Sequence, residues 1–226
     1  MTNWMIGQDS FSALYALDPA LTEKFFNTPN GYVFGHVPKG WVTNVVENYT
    51  SFGAYANDPI VRPWVQYTPE KWALTPTIEQ QHPRALMQTF IALAHSRQEK
   101  SIVAPGRNLM LVPGADCNQQ IGETVDQAYL RCQMPESGLG ADVFICQAQS
   151  EQHIASMYKN IVLEAGAQTS GAEQFWAGLT TLQGDDVPTM MAAYNSVVGT
   201  IDGFWLNTNP ATIQTAQQFL TAVEGS

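Results

Sequence analysis

Two carboxylates, one imidazole and a set of amides are the residues of this chain whose types and positions suit chemistry. Asp9 and Glu70 each follow a short apolar run, and two carboxylates at strand ends can serve as acid and base. His36 follows Tyr32-Val33-Phe34-Gly35 and can shuttle a proton near neutral pH. The run Asp142-Val143-Phe144-Ile145-Cys146 is long enough for one buried strand and leads into Gln147 and Gln149, whose spacing puts both amides on one face. A buried amide without partners costs about 1–3 kcal/mol, so a strand that ends in two is expected to face a polar ligand. Thr180, Asn207 and Arg107 close other runs in the same manner, while Tyr67, Trp72 and Trp205 offer aromatic faces. The expected catalytic set is therefore Asp9, Glu70 and His36. The expected substrate-binding set is Tyr67, Trp72, Arg107, Gln147, Gln149, Thr180, Trp205 and Asn207. Structural roles compete with these assignments, since a polar residue just after a strand is often a turn former or a helix cap. Asp9 as a cap of the first helix and Glu70 as a loop charge are the alternatives. Asn209 before Pro210, Ser150, Asp185 and Asp186 read as caps.

Such residues need a scaffold that brings strand ends together. Apolar runs and helical stripes alternate roughly seven or eight times along the chain. Strands are expected at 4–8, 32–36, 63–67, 101–105, 142–149, 175–181 and 202–208, with a further short one at 109–112. Helices are expected after Asp18-Pro19, from Pro83 to Arg97, from Thr124 to Gln133, from Ser150 to Ala165, from Val187 to Val198 and from Pro210 to Val223. The segment from Trp41 to Tyr55 reads as either a helix or a covering loop. Alternation of this kind specifies a parallel sheet with crossover helices. The first turn, Gly7-Gln8-Asp9-Ser10-Phe11, lacks the glycine pattern of a dinucleotide-binding open sheet. Trp176, Gly178 and Thr180 share a face, as do Gly203, Trp205 and Asn207, and Trp64, Gln66, Thr68 and Glu70. Each face turns polar towards its C-terminal end, the polarity of a closed barrel with its site at the strand tops. The expectation is one α/β domain over residues 1–226, a TIM-type (β/α) barrel, compact or missing one unit.

Composition narrows the partners. The formal net charge is -10 and Lys plus Arg number 10 of 226 residues, so a nucleic-acid partner is not expected. No apolar stretch is long enough to span a membrane, and the first residues lack the basic and apolar regions of a signal peptide. Cys117, Cys132 and Cys146 are odd in number and without C-x-x-C spacing, so neither a disulfide framework nor a zinc site is expected. Cys146 alternates within a strand as a small core residue, and Cys117 is a weak candidate nucleophile. A cytoplasmic location, no metal, no cofactor and a small-molecule substrate follow, while the oligomeric state stays open.

Tyr67-Thr68-Pro69-Glu70-Lys71-Trp72, Ala104-Pro105-Gly106-Arg107, Gln147-Ala148-Gln149 and Asp202-Gly203-Phe204-Trp205-Leu206-Asn207 resemble segments of a group of uncharacterised bacterial barrel proteins. More loosely, the last strand is similar to strands of glycoside-hydrolase barrels. The resemblance spans residues 63–220 and implies the barrel fold. It departs from glycosidases where two catalytic carboxylates are needed, because Gln147, Gln149 and Asn207 stand at those strand ends. Amides beside tryptophan faces suit a neutral substrate. The expected function is cofactor-independent acid/base chemistry on a small neutral organic molecule, of the lyase, isomerase or cyclase kind, as in natural-product biosynthesis. A glycoside-hydrolase-like enzyme and a non-catalytic sugar- or ligand-binding barrel are the alternatives.

Overall fold

The computed structural model of the chain describes residues 2–169 and 171–226. Among them, eight parallel strands close a barrel in sequence order: β1 (Asn3–Ile6), β2 (Gly31–Phe34), β3 (Asn44–Tyr49), β4 (Trp64–Tyr67), β5 (Lys100–Val103), β6 (Val143–Cys146), β7 (Gln174–Thr180) and β8 (Gly203–Asn207). This is a TIM-type (β/α)8 barrel. The crossovers carry α1 (Gln8–Leu17) and α2 (Pro19–Phe26), α3 (Phe52–Asn57), α4 (Thr77–Gln81) and α5 (Pro83–Ser96), α6 (Val125–Arg131), α7 (Ala155–Gln168), α8 (Val187–Val197) and α9 (Ile213–Glu224).

β2 passes to β3 without an intervening helix. The ambiguity of Trp41 to Tyr55 has its cause here: the segment holds β3 and the start of α3, with no crossover helix before the strand. Val45 is exposed and Glu47 half-buried on its outer face, where only Tyr49, packed on Tyr55 of α3 at 5.1 Å, is buried, so the apolar stripe is interrupted. Two further expectations are corrected. Leu109–Val112 is no strand, since Arg107–Leu111 winds as a 3-10 turn. Ser150 caps no helix, because Gln149–Glu151 is also 3-10 and α7 begins only at Ala155. In consequence His153, Ile154 and Met157 are exposed, and Tyr158, Ile161, Val162 and Ala165 form the buried face of α7.

Two compact units make up the chain. The first comprises Met1–Val46, Ala148–Val162 and Trp176–Ser226, and the second Glu47–Gln147 and Leu163–Phe175. In the first, Trp4 stacks on Phe204 at 5.3 Å between centroids and meets Phe25 and Phe219 edge-on, which seals the strands against α2 and α9. Proline starts α2, with the Asp18 side chain accepting from Leu21 N at 3.1 Å. In the second, Tyr67 and Tyr55 pack against Phe90 of α5. Glu79, in α4, is buried and organises the long connection after β4. Its carboxylate accepts from Ser51 Oγ (2.9 Å), Phe52 N (2.7 Å), Gly53 N (3.1 Å) and Tyr67 Oη (2.9 Å).

The cysteine expectation is overturned. Cys117 and Cys132 form a disulfide across a separation of 15 residues, so Cys117 is no free nucleophile. An odd count hid a single bridge plus one core thiol. Cys146 is free and fully buried, and burial pushes its thiol up to about 12.

Candidate active site

In the second unit the chain leaves β4 through Thr68 and Pro69 and brings Glu70 against the end of β6. Gln147, one residue past β6, donates its Nε2 to Ala104 O at 2.6 Å and reaches Glu70 Oε1 at 3.4 Å. Among the described residues its Oε1 accepts no hydrogen bond. Asn108 approaches the same carboxyl while its Oδ1 accepts from Lys71 N at 2.9 Å. A glycine is required beside them: a Cβ on Gly106 would lie 2.6 Å from Glu70 Cγ and 2.8 Å from Asn108 Oδ1. Burial holds the Glu70 carboxyl above the usual carboxylate range, against the opposing pull of the Gln147 and Asn108 amides. A half-buried acid of raised pKa, flanked by neutral amides, holds its proton more firmly than an exposed glutamate and suits proton transfer.

Arg107 braces this group from behind. It is buried, ion-paired to Asp126 of α6, and donates Nε to Gln147 O at 2.9 Å. A second polar ladder runs along the inner face of β4. Gln66 Nε2 donates to Thr68 Oγ1 (2.7 Å), which donates to Asn48 Oδ1 of β3 (2.8 Å). Gln66 is fully buried, and among the described residues its Oε1 has no hydrogen-bond partner.

In the first unit the strand ends are polar too, though most of these groups are committed to backbone. Gln149 is buried against Gly178, where a Cβ would come within 2.4 Å of its Nε2. Thr180 N donates to Gln152 Oε1 at 2.8 Å, and Thr180 Oγ1 accepts from Leu182 N at 3.0 Å. Trp205 is half-buried, edge-on to Phe34, and Asn207 is half-buried beside Thr180 in register. Asp9 lies exposed in the first turn of α1 and lines a cavity of about 260 Å³ with Gln8, Ser10, Thr208 and Asn209. His36 is exposed, and its backbone N–H donates to Gln8 Oε1.

Of the expected residues, Glu70, Gln147 and Arg107 come together in one cluster, with Arg107 behind the amide rather than open to a ligand. Tyr67 faces away from the barrel interior, fully buried, with its hydroxyl on Glu79, and so anchors α4 instead of contacting substrate. Trp72 is exposed, its indole N–H donating to Thr75 Oγ1 at 2.9 Å. Asn209 caps the turn before α9, accepting from Ala211 N and Thr212 N, and Asp186 caps α8. Sequence reasoning missed Asp126, Asn48 and Gln152. Asp126 sits on a helix surface in the sequence pattern, and only the fold reveals that a buried arginine faces it.

One constellation superficially suits nucleophilic chemistry. Asp142 Oδ2 and Ser101 Oγ both meet His95 Nε2, at 3.0 and 3.2 Å. A relay needs the carboxylate on one ring nitrogen and the hydroxyl on the other. Ser101 is moreover fully buried near the N-terminal end of β5, the end of a barrel that serves stability. This cluster ties β5 to β6. Among the described residues no group of three or more His, Cys, Asp or Glu side chains gathers as a metal ion would require, and no helix is long and apolar enough to cross a membrane.

No protein-family model and no curated protein matches the sequence. Among solved structures, the carboxyl transferase domain of Rhizobium etli pyruvate carboxylase with 3-hydroxypyruvate aligns at a TM-score of 0.52 and 9% identity, covering 99% of this chain and 47% of that one. The same domain with 3-bromopyruvate aligns at 0.51 and 10%, with coverage of 99% and 47%. A 2,3-dimethylmalate lyase of the PEP mutase/isocitrate lyase superfamily aligns at 0.47 and 10%, over 99% of this chain and 80% of that one. The chain thus spans about half the length of the carboxyl transferase chains. The carboxyl transferase domains are TIM-barrel enzymes, and this chain is similar to them in fold alone.

Proposed function

We propose that the chain is a barrel enzyme that performs general acid/base chemistry on a small neutral organic molecule, in a lyase, isomerase or cyclase reaction without a cofactor. The observation that carries this reading is Glu70, a half-buried carboxyl kept above its ordinary range and flanked by the amides of Gln147 and Asn108. Protonated Glu70 delivers a proton to a carbonyl, hydroxyl or alkene of the substrate and recovers it as carboxylate in the return step. Gln147 Oε1 and the Asn108 amide orient the substrate by hydrogen bonds that carry no net charge. In the first unit Asp9 and His36 are the titratable candidates, with Gln149, Thr180, Trp205 and Asn207 as candidate contacts.

Glycoside hydrolysis fits less well within the second unit. It needs a second working carboxylate beside the acid, whereas Glu79 is saturated by four donors and Asp126 is ion-paired to Arg107. The test is a thermal-shift and mass-spectrometric screen against neutral sugars, terpenoids and polyketide-like molecules, with Glu70→Gln and Gln147→Ala beside the parent. A compound that the parent converts and Glu70→Gln binds but leaves unchanged is the expected result. Equal conversion by both proteins would remove Glu70 from the mechanism, and binding by both without conversion would make this a ligand-binding barrel.

A further inference from the structure

We propose that the Cys117–Cys132 disulfide is a reversible redox lock that holds α6, and through α6 the Glu70–Gln147 pair, in working position. The coupling can be followed atom by atom within the second unit. The bridge joins Cys132, the residue closing α6, to the loop at Cys117. α6 presents Asp126 to the buried Arg107, Arg107 Nε holds Gln147 O at 2.9 Å, and the Gln147 side chain meets Glu70. Other contacts hold the helix too: Ala128 and Tyr129 are buried, Leu130 O accepts from Gln168 Nε2 at 3.1 Å, and Arg131 pairs with Glu123. The helix is seven residues long, below the length that is stable by itself. It also carries Tyr129, whose buried hydroxyl has no hydrogen-bond partner among the described residues. A capping box between Thr124 and Gln127 secures one end, and the disulfide secures the other.

The chemistry around the bridge suits opening and closing. Cys117 is half-buried and Cys132 buried, so an external dithiol, small molecule or protein, attacks at Cys117. Its thiolate bonds to Cys117 Sγ, the S–S bond breaks, and Cys132 leaves as a thiolate that takes up a proton. The second sulfur of the dithiol then displaces Cys117. Arg131 Nη1, 3.2 Å from Cys117 Sγ, stabilises that departing thiolate. Two protein thiols and one oxidised dithiol result. Disulfides of cytosolic proteins are mostly transient or redox-sensing, so a reversible bridge is compatible with the expected cytoplasmic location.

The inference takes Glu70 as the working acid, as proposed above, but its test reads the carboxyl directly and needs no substrate. Amide hydrogen exchange and the side-chain 13C titration of Glu70, assigned with Glu70→Gln, are compared in the oxidised and dithiothreitol-reduced protein. On reduction, exchange is expected to quicken at least tenfold in 124–132 and also at 104–108 and 147. The Glu70 titration is expected to move towards the ordinary glutamate range as burial is relieved. Asp126→Asn with the bridge intact is expected to reproduce the changes at 104–108, at 147 and at Glu70. It decides the question if the reduced protein unfolds altogether. Faster exchange confined to 117–132, or an unmoved Glu70 titration in Asp126→Asn, would overturn the lock. Failure of the substrate screen would leave these readouts intact.

Discussion

Replacing Glu70 by glutamine is expected to stabilise the protein at neutral pH while removing turnover. The sign follows from the burial that raises the Glu70 pKa in the folded state. A group raised above its unfolded value contributes stability that is fully present below the unfolded pKa and lost as pH rises through the folded one. Parent minus Glu70→Gln stability is therefore flat in acid. It then declines by about 1.4 kcal/mol per pH unit between the ordinary glutamate value near ~4.3 and the raised one, and is flat again above it. Glutamine keeps the shape and still accepts from Gln147 Nε2 and Asn108, but it adds a donor that costs about 1 kcal/mol if it finds no acceptor. The assay is urea denaturation of both proteins from pH 4 to 8. At a slope of ~2.5 kcal/mol/M, each declining pH unit moves the difference in midpoints by about half a molar. A difference that stays level over the whole range, or that grows in the parent's favour with pH, would show that the carboxylate is better accommodated folded than unfolded. The acid role would fall with it.

Three further outcomes follow from the same contacts. Gly106→Ala has a backbone that alanine accepts (φ -67, ψ 132), yet its methyl meets Glu70 Cγ at 2.6 Å; overpacking should cost about 1–3 kcal/mol and move the Glu70 titration, and an unshifted titration would remove Gly106 from the site. Glu79→Ala strands four donors around α3 and Tyr67 and should cost on the order of 3 kcal/mol in chemical denaturation; a loss below ~1 kcal/mol would mean water replaces the carboxylate. The Cys146 thiol, buried and raised to about 12, should resist alkylation at pH 8 until the chain unfolds; stoichiometric labelling of the native protein within minutes would contradict its burial.

The elements legible from sequence are those whose local chemistry and burial agree. Pro19 and Pro83 mark helix starts correctly, and Thr124 opens α6 with its capping partner Gln127. β3 escapes because Tyr49 alone of its outer face is buried, leaving Asn44, Glu47 and Asn48 to look like loop. Glu70 and Gln147 are legible as polar residues closing apolar runs. Tyr67 enters the expected site although its parity opposes that of Trp64 and Gln66, a conflict the strand period alone exposes. The supports are not legible at all: that Asp126 pairs with Arg107, or that two of three cysteines join, depends on distant segments meeting.

Two glycines in the first unit limit how deep a ligand can go. A Cβ on Gly203 would lie 2.9 Å from Trp176 Cδ2, and one on Gly178 would meet Gln149, so each neighbouring large side chain occupies the room its glycine vacates. Trp176, packed edge-on to Tyr32, fills the level of Gly203, and Gln149 fills the level of Gly178 above it. Only the last tier, Thr180 and Asn207, lies higher along the strands, two residues or ~7 Å above Gly178 at ~3.3 Å per residue. The side chains already in place leave a ligand on this unit no room at the level of Gly178 or Gly203. Discrimination among substrates then falls to the connecting loops, where insertions and replacements can change the choice of ligand while the barrel beneath stays as it is.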